Sequence, residues 1–587
     1  MASRIKFNDT NLNHVSYPIA SVRNNFLAVI LVFTGLVVVS SCKGQPLQQN
    51  RKYIRQDSLR GTITPERAWW NVLHYAITVE PDYQNKTIIG SNRIRFRTVS
   101  DGRKMQIDMQ VPMQIDSVVE IKFRTDMSQN IPLLRTHHDF TWEGHVTWVD
   151  LGRMIKKGNE MVLEIYFHGK PVEARRPPWD GGWIWSKDKK GRPWMSVACQ
   201  GLGASVWYPC KDHQSDEPDE GATLSIITSD TLMAVGNGRL IIDSSLAGSR
   251  KLRTWEVKNP INNYNIVPYI GKYVNWNEQF TGEKGVLDCS YWVLDYNLEK
   301  AKAQFKQVPL MLTSFEHWFG PYPFYEDGYK LVESPHLGME HQSAVAYGND
   351  FINGYRGNDL SGTGWGKKWD FIIVHESGHE WFANNITTND LADMWVHEGF
   401  TNYSETLFTT SQYGIEAGND YVIGTRRLIK NDIPIIGPYG VNQEGSGDMY
   451  YKGGNLLHMI RQVINNDEKF RNILRGLNKT FYHQTVDSRQ VESFISKEAG
   501  IDFSHVFDQY LRTAKIPILE YKSDGKKILV RWTNCVPGFD LPLAIKNGKK
   551  KWIKPVENWK EAEGIGATKS FADLIDRNFY IQVKKTD

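Results

Sequence analysis

The sequence lacks the features that define several classes of protein. It has five cysteines among 587 residues, too few for the disulfide framework of a small secreted protein. Basic and acidic residues nearly balance, at 70 and 66, so a net charge of +4 predicts no nucleic acid partner. No repeat of fixed period stands out. The composition, with 41% hydrophobic, 12% aromatic and 23% charged residues, is that of a globular protein with about three or four domains.

Long hydrophobic runs are also scarce, and the one candidate lies near the N-terminus. Residues 26–39 form an apolar run of fourteen residues, FLAVILVFTGLVVV, preceded by basic residues such as Arg23. A bilayer span needs about 20 apolar residues, whereas a signal-peptide core needs roughly 7–15. The run ends in VSSC, which resembles a bacterial lipobox and predicts residues 1–41 as a lipoprotein signal peptide with lipidation at Cys42. The alternative is an uncleaved membrane anchor. Either way we expect an exported, membrane-tethered protein of a bacterial envelope, on the periplasmic or outer-membrane side.

The four remaining cysteines leave one question of pairing open. Cys199 and Cys210 lie close enough in the chain to bridge a hairpin, and export permits disulfides. Buried free thiols are an equal alternative for these two residues and for Cys289 and Cys535.

The pattern of hydrophobic residues predicts an α+β multidomain protein. Residues 42–65 are polar and aperiodic and indicate a tether. Alternating apolar and polar residues between Asp, Asn and Gly turns predict a β-rich N-terminal domain over 66–275. Helical spacing then dominates residues 276–512, and alternation returns in a small C-terminal β-domain over 513–587.

The strongest chemical signal is the sequence His-Glu-Ser-Gly-His within residues 370–405. His375 and His379 are four residues apart, so on a helix both imidazoles lie on one face. Glu398 follows after eighteen intervening residues, in a second segment of helical character. Two imidazoles and a carboxylate are the ligand set of a catalytic zinc, whose fourth position is left for water. Glu376 is not needed as a ligand and is predicted to take a proton from that water.

Three further stretches have the residue types that a peptidase requires. Upstream, the strip LGMEH contains Glu340, a carboxylate able to pair with a protonated α-amino group. Downstream, Tyr450 begins the string YYKG, and a phenol near zinc can donate a hydrogen bond to a developing oxyanion. Gln200 stands in a CQG sequence of the β-domain at its expected junction with the cleft.

Together these motifs resemble the aminopeptidase N type of zinc metallopeptidases, the gluzincin aminopeptidases. That family has HExxH followed after eighteen residues by Glu in an NEGF-like string, GxMEN upstream and Tyr-x-Lys-Gly downstream. The resemblance runs from about Trp69 to at least residue 512 and implies a thermolysin-like α/β catalytic domain. The alternating residues after it lead us to expect a small C-terminal β-sandwich. The resemblance further implies removal of N-terminal residues from peptides with free N-termini, and the predicted export puts this activity outside the cytoplasm.

The resemblance assigns a role to each candidate residue. One zinc ion is the implied cofactor, with His375, His379 and Glu398 as ligands and Glu376 as general base. Tyr450 is the implied oxyanion donor, with Tyr451 as its rival. The implied substrate-binding residues are Glu340, which anchors the amino terminus, together with Gln200, Gly338 and Met339.

The sequence departs from the family pattern at three positions and lacks one domain. Leu337 replaces the first Gly of GxMEN, His341 replaces its Asn, and His397 replaces the Asn of NEGF. We interpret His397 as a packing residue behind the ligands. The long C-terminal helical domain of larger family members has no counterpart, so a more open cleft is expected. The alternatives are an endopeptidase or a lipid-epoxide hydrolase on the same scaffold, or a surface binding protein with a dead site.

Overall fold

The computed structural model describes residues 52–123, 132–547, 549–566 and 571–587. These residues belong to one structural unit, which spans residues 50–587. The predicted signal peptide and Cys42 lie outside the described residues. Among the helices of the described part, none has the length and apolar character to cross a membrane.

The N-terminal part is rich in β-structure, as predicted. Two short helices, α1 (Arg55–Gly61) and α2 (Pro65–Ala68), precede the strands. The strands are β1 (Trp70–Asp82), β2 (Thr87–Thr98), β3 (Gly102–Asp108), β4 (Gln114–Phe123), β5 (Pro132–Glu143), β6 (Val146–Ile155), β7 (Glu160–Gly169), β8 (Gly182–Lys187), β9 (Pro193–Ala198), β10 (Ala222–Ser229), β11 (Met233–Val235), β12 (Arg239–Leu246), β13 (Arg250–Val257) and β14 (Tyr269–Gly271). They form a ten-stranded sheet in the order β12-β13-β10-β1-β2-β7-β4-β5-β6-β3 and a four-stranded sheet in the order β11-β14-β9-β8.

Residue alternation explains how the first hairpin forms. Tyr75, Ile77 and Val79 of β1 are buried on one face, as a period of two requires. The turn to β2 is stabilised by Asp82, whose carboxylate accepts hydrogen bonds from the backbone amides of Gln84 at 2.9 Å and Asn85 at 3.1 Å. The buried face of β1 and the turn at Asp82 are therefore both compatible with the same register of β1 against β2.

The predicted tether is wrong for residues 55–61, which form α1. Leu59 is buried, and its carbonyl accepts a hydrogen bond from the Gln106 amide at 3.0 Å. Arg67 donates to the carbonyl of Thr62 at 2.8 Å. A helix of two turns that buries one leucine has too few apolar residues to show a periodic pattern, and it forms because the β-domain binds it.

The central part has a mixed sheet covered by helices. Its strands are β15 (Tyr273–Gly282), β16 (Gly285–Leu294), β17 (Tyr329–Glu333), β18 (Gly338–Met339), β19 (Val345–Tyr347), β20 (Ile386–Thr388) and β21 (Gln484–Val486). Its helices are α3 (Leu298–Gln304), α4 (Val308–Phe319), α5 (Phe371–Gly378), α6 (Trp395–Tyr413), α7 (Ile415–Thr425), α8 (Tyr451–Ile464), α9 (Asp467–Thr480), α10 (Ser488–Ala499) and α11 (Ser504–Arg512). The sheet has the order β15-β16-β17-β19-β18, which puts β18 at its edge.

One long helical pattern in this part is divided into two helices. The sequence GNLLHMIRQVINNDEKFRNILRGLN has continuous helical spacing, but α8 ends at Ile464. Asn465 adopts a left-handed conformation with φ of 50°, and Asn466 caps α9 by accepting from the amide of Lys469 at 2.9 Å. Asn tolerates both roles, so the pair of asparagines is the local stop signal.

The C-terminal part packs directly on the helices of the central part. It contains β22 (Ile518–Asp524), β23 (Lys527–Thr533), β24 (Leu543–Asn547), β25 (Lys549–Ile553), β26 (Lys560–Gly566), β27 (Gln582–Lys585) and the short helix α12 (Phe571–Leu574). A four-stranded sheet, ordered β26-β23-β22-β27, accompanies the hairpin β24–β25. Leu519, Val530 and Trp532 share one hydrophobic core with α8 and α11. The multidomain α+β fold class is thus confirmed, whereas the domain boundaries remain predictions.

The cysteines of the described residues are free thiols. Cys199, Cys210 and Cys289 are buried and Cys535 is half-buried. Of the two possibilities for Cys199 and Cys210, the structure has the buried free thiols.

Candidate active site

The His-Glu-Ser-Gly-His sequence occupies the end of helix α5. Asp370 caps the start of this helix by accepting from the backbone amide of Ile372 at 3.1 Å. The helix ends at Gly378, and residues 380–384 continue as a wider turn in which Ala383 has a φ of 148°. This turn directs the carbonyl of Phe382 at Nδ1 of His379, 3.0 Å away. The strained turn therefore fixes the orientation of the second histidine.

Helix α6 brings Glu398 to the two histidines. Its Oε2 lies 3.7 Å from Nε2 of His375 and 3.4 Å from Nε2 of His379. All three side chains are buried, and their potential ligand atoms lie within 4.8 Å of one another. The structure thus brings together the three predicted ligands.

Helix α6 also orients both imidazoles from behind. Nδ1 of His375 lies 2.7 Å from Oε1 of Glu405, whose other oxygen accepts from the Tyr421 hydroxyl at 2.6 Å. Nδ1 of His379 lies 3.0 Å from Oγ1 of Thr401. With Nδ1 engaged in this way, each ring presents Nε2 to Glu398. Thr401 and Glu405 were not predicted from the sequence, although their spacing of three and seven residues from Glu398 puts them on the same helix face.

The cluster fits a metal ion because one of its buried oxygens has no partner. Oε2 of Glu398 is inaccessible to solvent and makes no hydrogen bond within the described part of the chain. An unsatisfied buried carboxylate oxygen is costly unless a cation binds it. Two imidazole nitrogens and one carboxylate are also the three protein ligands that a catalytic zinc takes. Burial raises the pKa of Glu398, but His379 and His375 lower it further, so it is held well below its usual value.

Glu376 faces the edge strand β18 at very close range. A Cβ atom added at Gly338 would stand only 2.5 Å from Oε1 of Glu376. Burial raises the pKa of Glu376 to about 7; His375 and His379 oppose this shift, and Glu340 adds to it. A carboxylate with a pKa near neutrality is suited to accept and return a proton.

Glu340 directly follows the edge strand β18, and residues of the β-rich N-terminal part hold its carboxylate. Its Oε1 accepts from the Tyr264 hydroxyl at 2.8 Å and from the Gln200 amide at 2.5 Å. Its backbone carbonyl accepts from Asn384 at 2.8 Å. Burial is the main cause of its raised pKa. Gln200 was a candidate from sequence, whereas Tyr264 and Asn384 were not, because neither belongs to a recognisable motif.

Gly338 and Met339 form β18, the edge strand of the sheet. On one side of the strand, these two residues pair with Tyr347 and Ala346 of β19. Glu376 lies against one face of this strand, and no described strand pairs with its outer edge, so the strip is suited to pair with an extended peptide backbone.

Tyr450 lies over the metal cluster, immediately before helix α8. Its ring stacks on that of His375 with centroids 6.1 Å apart. Burial, together with the negative charge of Glu398, raises the pKa of Tyr450 well above its usual value. Tyr451 starts α8, and Glu405 rather than Glu398 is its main electrostatic neighbour. The geometry favours Tyr450 over Tyr451 as the donor.

The two histidines that depart from the family pattern point away from the cluster. The Nδ1 atom of His341 contacts the hydroxyl of Tyr269. Nε2 of His397 accepts from the backbone amide of Thr388 at 2.9 Å, and burial lowers its pKa to about 3. His397 packs behind the ligands, as interpreted from the sequence.

Comparison with known proteins agrees with this geometry. Residues 304–510 match the peptidase family M1 domain. This match supports a zinc metallo-aminopeptidase of the aminopeptidase N type. The fold class that this type implies is also present, and the M1 family implies a zinc cofactor, which the cluster of His375, His379 and Glu398 fits.

The relatives of this enzyme are distant. It is 22% identical to leukotriene A-4 hydrolase of Xenopus laevis over 84% of this chain and 77% of that protein. It is 20% identical to the probable aminopeptidase 2 of Sulfurisphaera tokodaii over 73% of this chain, but it covers 55% of that protein. With aminopeptidase N of Lactococcus lactis it is 25% identical over 33% of this chain and 26% of that one. The chain thus spans about half or less of the length of several curated aminopeptidases.

Solved structures show the same fold. An M1 zinc metallopeptidase from Deinococcus radiodurans superimposes with a TM-score of 0.64 at 18% identity, covering 77% of this chain and 95% of that one. A mutant of it with a bound Tyr-Ser-Ala substrate has a TM-score of 0.61 at 18% identity, over 76% and 95%.

Proposed function

We propose that this enzyme hydrolyses the first peptide bond of peptides with a free amino terminus. The observation that carries the proposal is the closeness of the Glu340 and Glu376 carboxylates. Together with a ring nitrogen of His379, their oxygens all lie within 4.8 Å of one another. In an amino acid the nitrogen and the carbonyl carbon are only about 2.5 Å apart. An ammonium group held by Glu340 therefore places the first carbonyl, rather than a later one, beside Glu376.

Each residue of the site has one task in this reaction. His375, His379 and Glu398 hold the zinc, which supplies a Lewis acid for the scissile carbonyl and the attacking water. Glu376 accepts a proton from that water and delivers it to the leaving amine. Tyr450 donates a hydrogen bond to the carbonyl oxygen as negative charge develops on it. Glu340, held by Gln200 and Tyr264, binds the ammonium group, and β18 aligns the backbone.

Three alternatives are less well supported by this geometry. An endopeptidase would bring no ammonium group to the buried Glu340 carboxylate. A lipid-epoxide hydrolase would likewise leave the buried Glu340 carboxylate without an ammonium partner. A surface binding protein without catalytic activity would not need the complete set of metal ligands together with Glu376.

The cellular setting is proposed from the sequence alone. We infer that the enzyme is exported and tethered through a lipidated Cys42 and acts on peptides outside the cytoplasm. The run of residues 26–39 followed by VSSC supports this inference.

A paired assay tests the proposed reaction. Purified enzyme is given one peptide in two forms, with a free and with an acetylated amino terminus, each with and without a zinc chelator. We expect release of the first residue from the free form only, and loss of that release with chelator. Cleavage of the acetylated peptide at internal bonds would favour the endopeptidase, and chelator-insensitive cleavage would contradict the zinc mechanism.

A further inference from the structure

Asn384 joins the two parts of the site that the proposed reaction has to keep in register. It is the last residue of the wider turn 380–384, and its backbone amide donates to the carbonyl of His379 at 3.0 Å. Its side-chain amide donates to the backbone carbonyl of Glu340 at 2.8 Å. One buried residue therefore connects the backbone of the second histidine with the backbone of the amino-terminus anchor.

Asn265 of the N-terminal part holds the Asn384 amide in the orientation that this contact requires. The carbonyl of Glu340 can only accept, so Asn384 has to turn its NH2 group toward it. That orientation leaves Oδ1 of Asn384 in need of a donor, and the Asn265 amide supplies it at 2.7 Å. Both asparagines are buried, so solvent cannot replace this donor. Without Asn265, the oxygen of Asn384 would be an unpaired buried acceptor.

The turn of residues 263–265 thus reaches Glu340 by two routes. Tyr264 donates directly to its carboxylate at 2.8 Å, and the next residue, Asn265, acts on its backbone through Asn384. The contact with Tyr264 fixes the carboxylate relative to the N-terminal part. The contact with Asn384 fixes the backbone of Glu340 relative to the turn that follows His379. Only the second contact relates the anchor to the metal ligands.

The proposed reaction tolerates little error in this relation. The nitrogen and the carbonyl carbon of one amino acid are about 2.5 Å apart, so the ammonium site and the metal site must match that separation. A misplacement of about 1 Å can lower rates by about 10². Strand pairing holds the strip before Glu340 on one side only, through Gly338 and Met339. A further contact that ties Glu340 to the metal side therefore has a clear purpose.

We propose that Asn384 is a positioning residue that keeps Glu340 at the correct distance from the zinc ligands, and that Asn265 acts through it. The inference rests on the proposed aminopeptidase function and adds two residues to it. If either hydrogen bond is lost, the zinc and Glu340 each still bind their own group. They bind the two groups of one substrate less well at the same time.

A pair of inhibitors measures this coupling directly. L-leucine hydroxamate and 4-methylpentanoic hydroxamate both bind zinc through the hydroxamate and differ only in the α-amino group. The ratio of their inhibition constants reports what the amino group gains once the zinc is occupied. We expect a ratio of about ten to a hundred in the wild type, and a fall to a few-fold in Asn384→Leu and in Asn265→Leu. Leucine has nearly the shape of asparagine but no hydrogen-bonding group.

Asn92→Leu is the matched control. Asn92 lies in β2, is buried and donates one hydrogen bond, to the carbonyl of Pro209 at 2.9 Å. Its Oδ1, like that of Asn265, has no partner among the described residues. This variant should keep the wild-type ratio. In the double variant, Asn265→Leu should add nothing to Asn384→Leu, because it acts through that residue.

Zinc content and thermal unfolding are measured for each variant beside the two inhibitors. An unchanged ratio in folded Asn384→Leu would overturn its positioning role, and additive losses in the double variant would overturn the route through Asn384. An equal loss of affinity for both inhibitors, or loss of folding in both single variants, would assign the pair to the fold and also overturn the inference. A wild-type ratio near one would instead reject Glu340 as the anchor and, with it, the proposed function.

Discussion

Replacement of Gly338 by alanine tests the contact between the edge strand and the general base. The added Cβ atom would stand 2.5 Å from Oε1 of Glu376 and 3.0 Å from its Cγ and Cδ atoms. Ordinary contacts are near 3.5 Å, so the carboxylate has to move by roughly 1 Å. Such a displacement of a reacting group lowers rates by up to about 10². We expect kcat to fall about 10–100-fold, equivalent to about 1.4–2.7 kcal/mol in activation free energy.

The same substitution should leave the fold and the metal site nearly unchanged. Gly338 is absent from the positions with positive φ, so alanine fits its backbone. The group that must move is a side chain rather than backbone, and a glycine-to-alanine change at a compatible position even stabilises by about 0.4–1 kcal/mol. Thermal unfolding and zinc content should therefore match the wild type while kcat drops.

The control is Gly566→Ala, because a Cβ atom at Gly566 meets no heavy atom within 4 Å. It should behave like the wild type in all three measurements. Full activity of Gly338→Ala would show that Glu376 is free to move without consequence and would refute its assignment as a positioned base. Loss of zinc in Gly338→Ala would show that the contact serves the metal ligands instead.

Three further predictions concern single groups. Glu405→Gln should weaken zinc affinity about 10–100-fold in a chelator competition, because the carboxylate that orients His375 is lost, whereas the exposed Glu416→Gln should not. Tyr450→Phe should lower kcat about 10²–10³-fold with little change in KM, and an equal loss in Tyr451→Phe instead would assign the donor to Tyr451. Cys42→Ala should release active enzyme from the membrane fraction or stall its maturation; a full-length variant that stays in the membrane would favour the uncleaved anchor.

The sequence predicted those parts of the site that lie on periodic elements or in motifs. His375 and His379 share a helix, so their spacing alone places them together. Glu398 came from the spacing of a family motif, and the structure puts it within 3.7 Å of both. By contrast, Tyr264 approaches Glu340 from 76 residues away in the chain. A contact of this kind depends on how two domains pack, which no local pattern encodes.

The fold was predictable to a similar degree and for similar reasons. Strands such as β10 alternate strictly between buried and half-buried residues, so their pattern is visible in the sequence. Helix α1 was missed because it buries only one leucine of its own and depends on contacts with Gln106 of β3 and Arg67 of α2.

Helix α6 explains why the metal site needs more than the His-Glu-Ser-Gly-His sequence. Glu398 supplies the third ligand, Thr401 holds the second histidine, and Glu405 holds the first. These three residues recur at intervals of three and four, so a single buried helix face sets all the ligand orientations at once. A shift of α6 along its axis would misplace every ligand together. For this reason the close packing of α6, including the stacking of Phe400 on Phe382 with centroids 4.4 Å apart, is part of the catalytic apparatus as well as of the core.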